Sequence, residues 1–253
     1  EFWAGGKRGS VGAERDGAAR KLVGPRLAPL LAESISVNST AVVEDELSER
    51  PTLVGSKTEA ALLVFARREL ACDWAAARRA AHKVSEIQFT SARKRMSTIV
   101  AEGDDTSGGG GVVVHVKGAS EIVLQLCTRR MRADGEEEEL DDAAAAQARA
   151  HIEAFASEGL RTLTLAYRRL AAPPGTAPED AAGVERELTL LGVFGIKDPV
   201  RAEVPPAVAQ CLRSGLRIYM VTGDNVLTAQ CIARECGILT AGGLAPCLSS
   251  AIG

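Results

Sequence analysis

The 253-residue sequence has no C-x-x-C pair: Cys72, Cys127, Cys211, Cys231, Cys236 and Cys247 are scattered, and none of the three histidines stands at metal-ligand spacing beside them. The expectation is reduced thiols and no metal site. A basic excess is lacking too. Lys and Arg total 30 against 33 Asp and Glu, a formal charge of −3, which excludes the field that holds nucleic acid or an anionic membrane surface. The longest apolar run, Leu188–Ile196, is about half of the roughly 20 residues needed to cross a bilayer. There is no initiator Met and no charged-then-apolar leader, so the chain reads as a piece cut from a longer polypeptide.

What is present is a core-forming composition, 46% hydrophobic, at a length that suits one large domain or two smaller ones. Residues 1–30 are rich in Gly, Arg, Lys and Pro with weak periodicity and read as loop or partly disordered. From Ser56 the spacing of Ala60, Leu63, Val64 and Ala71 predicts a helix to about Leu70, with Ser56 and Glu59 forming a capping box. A second helix over 73–81 leads into strands over 84–89 and 96–101, with basic residues at the turn between them. Residues 103–111 read as a flexible hairpin loop before a strand at 112–116. Ile122, Val123, Leu126 and Cys127 mark a helix, Asp134-Gly135 a hairpin turn, residues 143–157 a helix and 162–167 a strand. The sequon Asn38-Ser39-Thr40 is read as chance. Three prolines in 171–183 mark a boundary.

Beyond it the texture becomes strand, helix, strand, helix. Leu188–Ile196 and residues 216–221 read as buried strands, and 202–214 and 225–236 as helices stopped by Gly215 and Gly237. That order is the signature of a parallel, two-sided sheet. Ligands of such sheets sit beyond the carboxyl ends of strands, where this sequence has Asp198 and Arg201 after one and Thr222-Gly223-Asp224-Asn225 after the other. A threonine hydroxyl, an accessible glycine amide and a helix N-terminus suit a phosphate oxygen. Asp224 and Asn225 equally suit a helix cap.

The run from Leu188 to Leu239, with K-D-P-V-R and M-V-T-G-D-N, resembles the phosphorylation domain of P-type ATPases. Upstream, G-S-K-T-E-A-A-L-L, F-T-S-A-R-K-R-M-S-T-I-V and H-V-K-G-A-S-E-I-V occur in the order of that family's nucleotide-binding domain. Within the family the blocks are most similar to plasma-membrane-type, calmodulin-regulated calcium pumps. The resemblance implies an α/β chain. Residues 31–184 would be an α+β nucleotide-binding domain with an antiparallel sheet flanked by helices. Residues 185–253 would be part of the phosphorylation domain, a partial haloacid-dehalogenase-like parallel βαβα unit.

It further implies that Phe89 stacks on adenine, with Glu59 and Met96 on the adenine side of the pocket. Lys94, Lys117 and the adjoining Gly118 would lie against the nucleotide, Arg161 would reach the phosphates, and Asp198, Arg201, Thr222, Gly223 and Asp224 would support phosphoryl transfer. ATP would be the ligand, with Mg²⁺ in the complete pump. The partners would be the transmembrane and actuator domains, and calmodulin through a segment not present here, at the cytosolic face of a membrane. Ser91 departs from the arginine common in the family two positions after the adenine aromatic. The phosphorylated D-K-T-G motif does not occur in the sequence, so the isolated chain would bind nucleotide without completing the reaction. Two other classes fit less of the sequence. A soluble haloacid-dehalogenase phosphohydrolase needs a nucleophilic aspartate on an N-terminal strand, and a stand-alone nucleotide-binding module would be a complete gene product.

Overall fold

A computed structural model describes residues 1–11, 17–44, 52–102, 111–171 and 181–239, the side chains of 181 and 182 excepted. The chain divides into two units, residues 1–152 with 162–196, and residues 153–161 with 197–253.

The first unit opens where a loop was expected. Phe2–Ala4 (β1) and Lys7–Gly9 (β2) form a hairpin, followed by the helices Ala18–Val23 (α1) and Leu27–Val37 (α2). Three apolar residues are too few to show a period, yet they place Phe2 and Trp3 at 1% and 2% exposure. Phe2 packs edge-on against Phe65, 5.4 Å between ring centroids, and stacks near Phe194. The Gly- and Arg-rich average hid this core contribution, and it hid the helical spacing of Leu27, Leu31 and Ile35, all buried. The 12–16 part of that expected loop lies outside the described residues.

Val42–Glu44 (β3) and Thr52–Val54 (β4) make a small antiparallel pair. Lys57–Glu69 (α3) starts at Ser56, whose hydroxyl accepts from the Glu59 amide at 3.5 Å, and ends with Arg67 and Arg68 in its last turn, where the helix dipole favours cations. Trp74–Ala80 (α4) is capped by Asp73. The chain continues through Lys83–Ile87 (β5), Arg95–Ala101 (β6), Val112–Ala119 (β7), Ser120–Gln125 (α5), Cys127–Met131 (β8), Glu137–Glu139 (β9), Asp142–Ser157 (α6), Arg161–Leu170 (β10), Ala181–Val184 (α7) and Leu188–Ile196 (β11). Gly135 turns the β8–β9 hairpin at φ 83°, where a Cβ would also meet the Arg26 side chain at 2.4 Å.

Among the described residues these strands form one sheet in the order β2-β1-β11-β10-β7-β6-β5, with β8 paired to β11 and β9 to β8. The pairings β1/β2, β1/β11, β10/β7, β7/β6, β6/β5 and β8/β9 are antiparallel and β8/β11 is parallel. This is the helix-flanked antiparallel sheet the sequence led us to expect. Alternation along β7 separates its two faces. Val113 joins the core built with α2, α3 and α4, whereas Val112, Val114 and Val116 join a second core with Val123 of α5 and Val184 of α7.

The parallel βαβα unit expected over 185–253 is not formed. Leu188–Ile196 is a buried strand, but it pairs within the large sheet. Residues 216–221 form no strand, and Leu216, Tyr219 and Val221 are 58%, 74% and 96% exposed. An isolated strand has no ladder to complete its backbone hydrogen bonds, so apolarity alone does not create one. The second unit does contain the two expected helices. Val204–Arg213 (α8) has prolines 205 and 206 in its first turn, and Val226–Glu235 (α9) is capped by Asn225, which accepts from the Leu227 amide at 2.8 Å.

Five cysteines are free thiols, and burial pushes the Cys127 thiol up to about 12; Cys247 and most of 103–111 lie outside the described residues. Asn38 is fully buried, which removes it as a glycan acceptor. No helix among the described residues is long and apolar enough to cross a membrane.

Candidate nucleotide-binding site

Two strands and one helix bring together most of the residues singled out in the first unit. In the β6/β7 register Met96 stands opposite Lys117 and Arg95 opposite Gly118. Directly opposed side chains share a face, so Met96 and Lys117 point to the side covered by α2 and α3. Met96 is 3% exposed and Lys117 6%. Glu59, in the first turn of α3, meets them there: its Oε1 accepts from Lys117 Nζ at 2.5 Å.

The other Glu59 oxygen accepts from the Thr40 and Ala41 amides at 2.9 Å each, and from the Thr40 and Ser39 hydroxyls at 3.1 and 3.2 Å. The capping box is therefore half realised. Ser56 caps the helix, while the Glu59 carboxylate turns to the 39–41 segment and Lys117. Burial opposes ionisation, but the Lys117 charge and the two amides outweigh it and hold the Glu59 carboxyl below its ordinary 4.5. Burial likewise pushes the Lys117 ammonium down, against the pull of Glu59. Lys117 also donates to the Asn38 carbonyl. Asn38 in turn donates to the His115 and Met96 carbonyls at 3.0 and 3.4 Å and accepts from Thr98 at 3.1 Å.

Sequence reasoning missed Asn38 as a member of this cluster, and missed the 39–41 amides. Its one visible signal, the sequon, points elsewhere.

Lys94 and Phe89 occupy the β5–β6 turn. Both are exposed, Phe89 at 58%. Lys94 has φ 52°, in the left-handed region that costs a non-glycine residue about 1 to 3 kcal/mol and persists only where its surroundings fix it. Its amide donates to the Thr90 carbonyl at 2.7 Å and its carbonyl accepts from the Ala119 amide at 2.9 Å. Gly118 permits that approach, since a Cβ there would lie 2.5 Å from the Lys94 carbonyl oxygen and 2.6 Å from Arg95 Cβ.

The remaining residues meet in the second unit. Arg161 holds Asp224 through a bidentate pair, Nε to Oδ1 at 2.9 Å and Nη2 to Oδ2 at 3.1 Å, and its Nη1 lies 3.8 Å from Asp198. The Thr222 hydroxyl donates to Asp224 Oδ2 at 3.2 Å and accepts from the Asp224 amide at 3.1 Å. Asn225, not Asp224, caps α9, which separates the roles the sequence left open. The Thr228 hydroxyl donates to the Leu160 carbonyl at 2.8 Å and ties α9 to the segment before Arg161. Gly223 and Arg201 are exposed. Arg161 was expected beside the nucleotide residues; the structure groups it with Asp198, Thr222 and Asp224.

Two open clefts of about 480 and 340 Å³ lie elsewhere in the first unit. One is lined by Gly5, Arg130, Arg132 and Asp134, the other by Arg129, Glu137, Arg168 and Glu187. Neither includes a residue of the Glu59–Lys117 cluster or of the β5–β6 turn.

The chain's relatives agree with this geometry. The family described as "P-type ATPase, cytoplasmic domain N" matches residues 26–203, well over half of the chain, which spans both Glu59 and Lys117. The chain belongs to that family. It is 39% identical over 229 residues to a calcium-transporting ATPase of Dictyostelium discoideum, covering 90% of this chain and 20% of the relative. It is 42% identical over 218 residues to a putative plasma membrane-type calcium-transporting ATPase of Arabidopsis thaliana, 85% of this chain and 20% of the relative. A plasma membrane calcium-transporting ATPase of Bos taurus is 40% identical over 231 residues, 86% of this chain and 18% of the relative. The chain thus spans about a fifth of the length of these curated relatives.

Proposed function

We propose that this chain is the ATP-binding part of a calcium-transporting P-type ATPase and binds adenine nucleotide at the β5–β6 turn and the β6/β7 face. The observation that carries the reading is the convergence of Glu59, Met96 and Lys117 beside a turn that presents an exposed aromatic, Phe89, and a conformationally fixed cation, Lys94. An exposed ring offers a stacking face to adenine, and the lysines act as compact point charges toward the phosphates. Mg²⁺ belongs to the reading as the metal of the ATP complex.

Residues 197–253 are then a portion of the phosphorylation domain, where Thr222, Gly223, Asp224, Asp198 and Arg201 would face the transferred phosphoryl group and Arg161 would position Asp224. The sequence has no D-K-T-G, so the reading gives this chain nucleotide binding and not a covalent step. The whole protein would move calcium across a membrane from its cytosolic side, with transmembrane and actuator domains as partners and calmodulin binding outside these residues. Relatives named as calcium-transporting ATPases support the ion.

Calorimetric titration tests the reading. The chain is expected to bind ATP in the micromolar to millimolar range, roughly −4 to −8 kcal/mol. Phe89→Ala should lose about 1 to 3 kcal/mol of that, the worth of a base stacked on an aromatic ring. Unchanged affinity in Phe89→Ala would remove the ring from the site.

A further inference from the structure

Glu185 lies between α7 and β11, far in sequence from the nucleotide residues, and its side chain is fully buried. A buried carboxylate is retained only with partners, and this one has three. It accepts from Arg93 Nη2, from Arg95 Nε at 2.7 Å and from the Ser97 hydroxyl at 2.5 Å. Arg95 and Ser97 point to one face of β6, Met96 and Thr98 to the other, where the Glu59–Lys117–Asn38 cluster lies. Glu185 therefore grips β6 from the back of the sheet.

The grip extends into the turn. Arg93 Nη1 donates to the Gln88 carbonyl at 2.8 Å, so one guanidinium joins the first residue of the turn to Glu185. The Arg93 amide donates to the Thr90 hydroxyl at 3.2 Å, and Arg95 Nη1 donates to the Arg93 carbonyl at 3.2 Å. An exposed turn has little packing of its own to keep one shape, and the left-handed Lys94 needs external bonds to persist.

We propose that Glu185 is a positioning residue for nucleotide binding: through Arg93 and Arg95 it holds the 88–95 turn in the form that presents Phe89 and Lys94. The proposal rests on the reading of that turn as the adenine site.

A double-mutant cycle on ATP affinity, measured by calorimetry on the full chain with folding verified by circular dichroism, tests it. Glu185→Gln should weaken ATP binding about tenfold in the parent chain and at most about threefold in the Phe89→Ala background, because the group it positions is then gone. Equal factors in both backgrounds, or no change in Glu185→Gln alone, would overturn the proposal. If Glu185→Gln does not fold, Arg93→Lys replaces it in the same cycle, since an ammonium keeps the charge but cannot bridge Gln88 and Glu185, and the same two outcomes decide. Unaltered affinity in Phe89→Ala alone would instead sink the adenine reading beneath the proposal, so the two failures are distinguishable.

Discussion

Glu59 carries two loads at once: it lies three residues after a helix cap and it neutralises a nearly buried lysine. Five donors converge on its two oxygens, more than a solvated carboxylate in a helix's first turn would gather. The folded carboxyl is held below its ordinary 4.5, so on acidification the unfolded chain takes up this proton first. The stabilisation from Glu59 is therefore complete above about 4.5 and disappears as the pH falls through the lower folded value. Glu59→Gln leaves the Lys117 charge buried without its counter-charge and should destabilise the chain by about 3 kcal/mol at neutral pH. That deficit should shrink in acid, where Glu59 itself becomes neutral. Urea unfolding of both chains at neutral pH and well below 4.5 checks this, and a deficit constant with pH would mean that Glu59 is not ionised in the folded chain.

At the scale of elements, the hairpin β5–β6–β7 is the frame on which the candidate site is hung, and it was legible because strands β6 and β7 are long and β-branched. The helices α3, α4, α6, α8 and α9 were legible for the same reason, each having a cap or a clear apolar stripe. Illegible were β1, three residues whose partner Phe194 is almost two hundred positions away, and the assignment of β11 to this sheet. Neither can be read locally, since pairing over such separations leaves no period in the sequence. The site followed the same rule. Phe89, Lys94 and Lys117 stand in recognisable blocks, whereas Asn38 and Glu185 matter only through contacts 79 and 90 residues distant. The strand expected at 216–221 failed because apolar residues without a neighbouring ladder remain exposed. Hydrogen exchange on the chain without ligand should show slow amides in β6 and β7 and fast ones over 216–223. Equal protection in both would mean that the second unit has a sheet of its own.

For the whole molecule, the account gives this chain one task within a protein about five times longer: to hold ATP on the first unit. The second unit carries the Arg161–Asp224–Thr222 constellation, which the account assigns to phosphoryl transfer and not to adenine recognition. The two assignments separate in one experiment, hydrogen exchange of the full chain with and without saturating ATP. Added protection is expected over residues 88–96 and 116–119, with residues 216–236 changing less. Protection confined to 216–236, or no change anywhere at concentrations that saturate binding, would contradict the placement of the nucleotide on the β5–β6–β7 face.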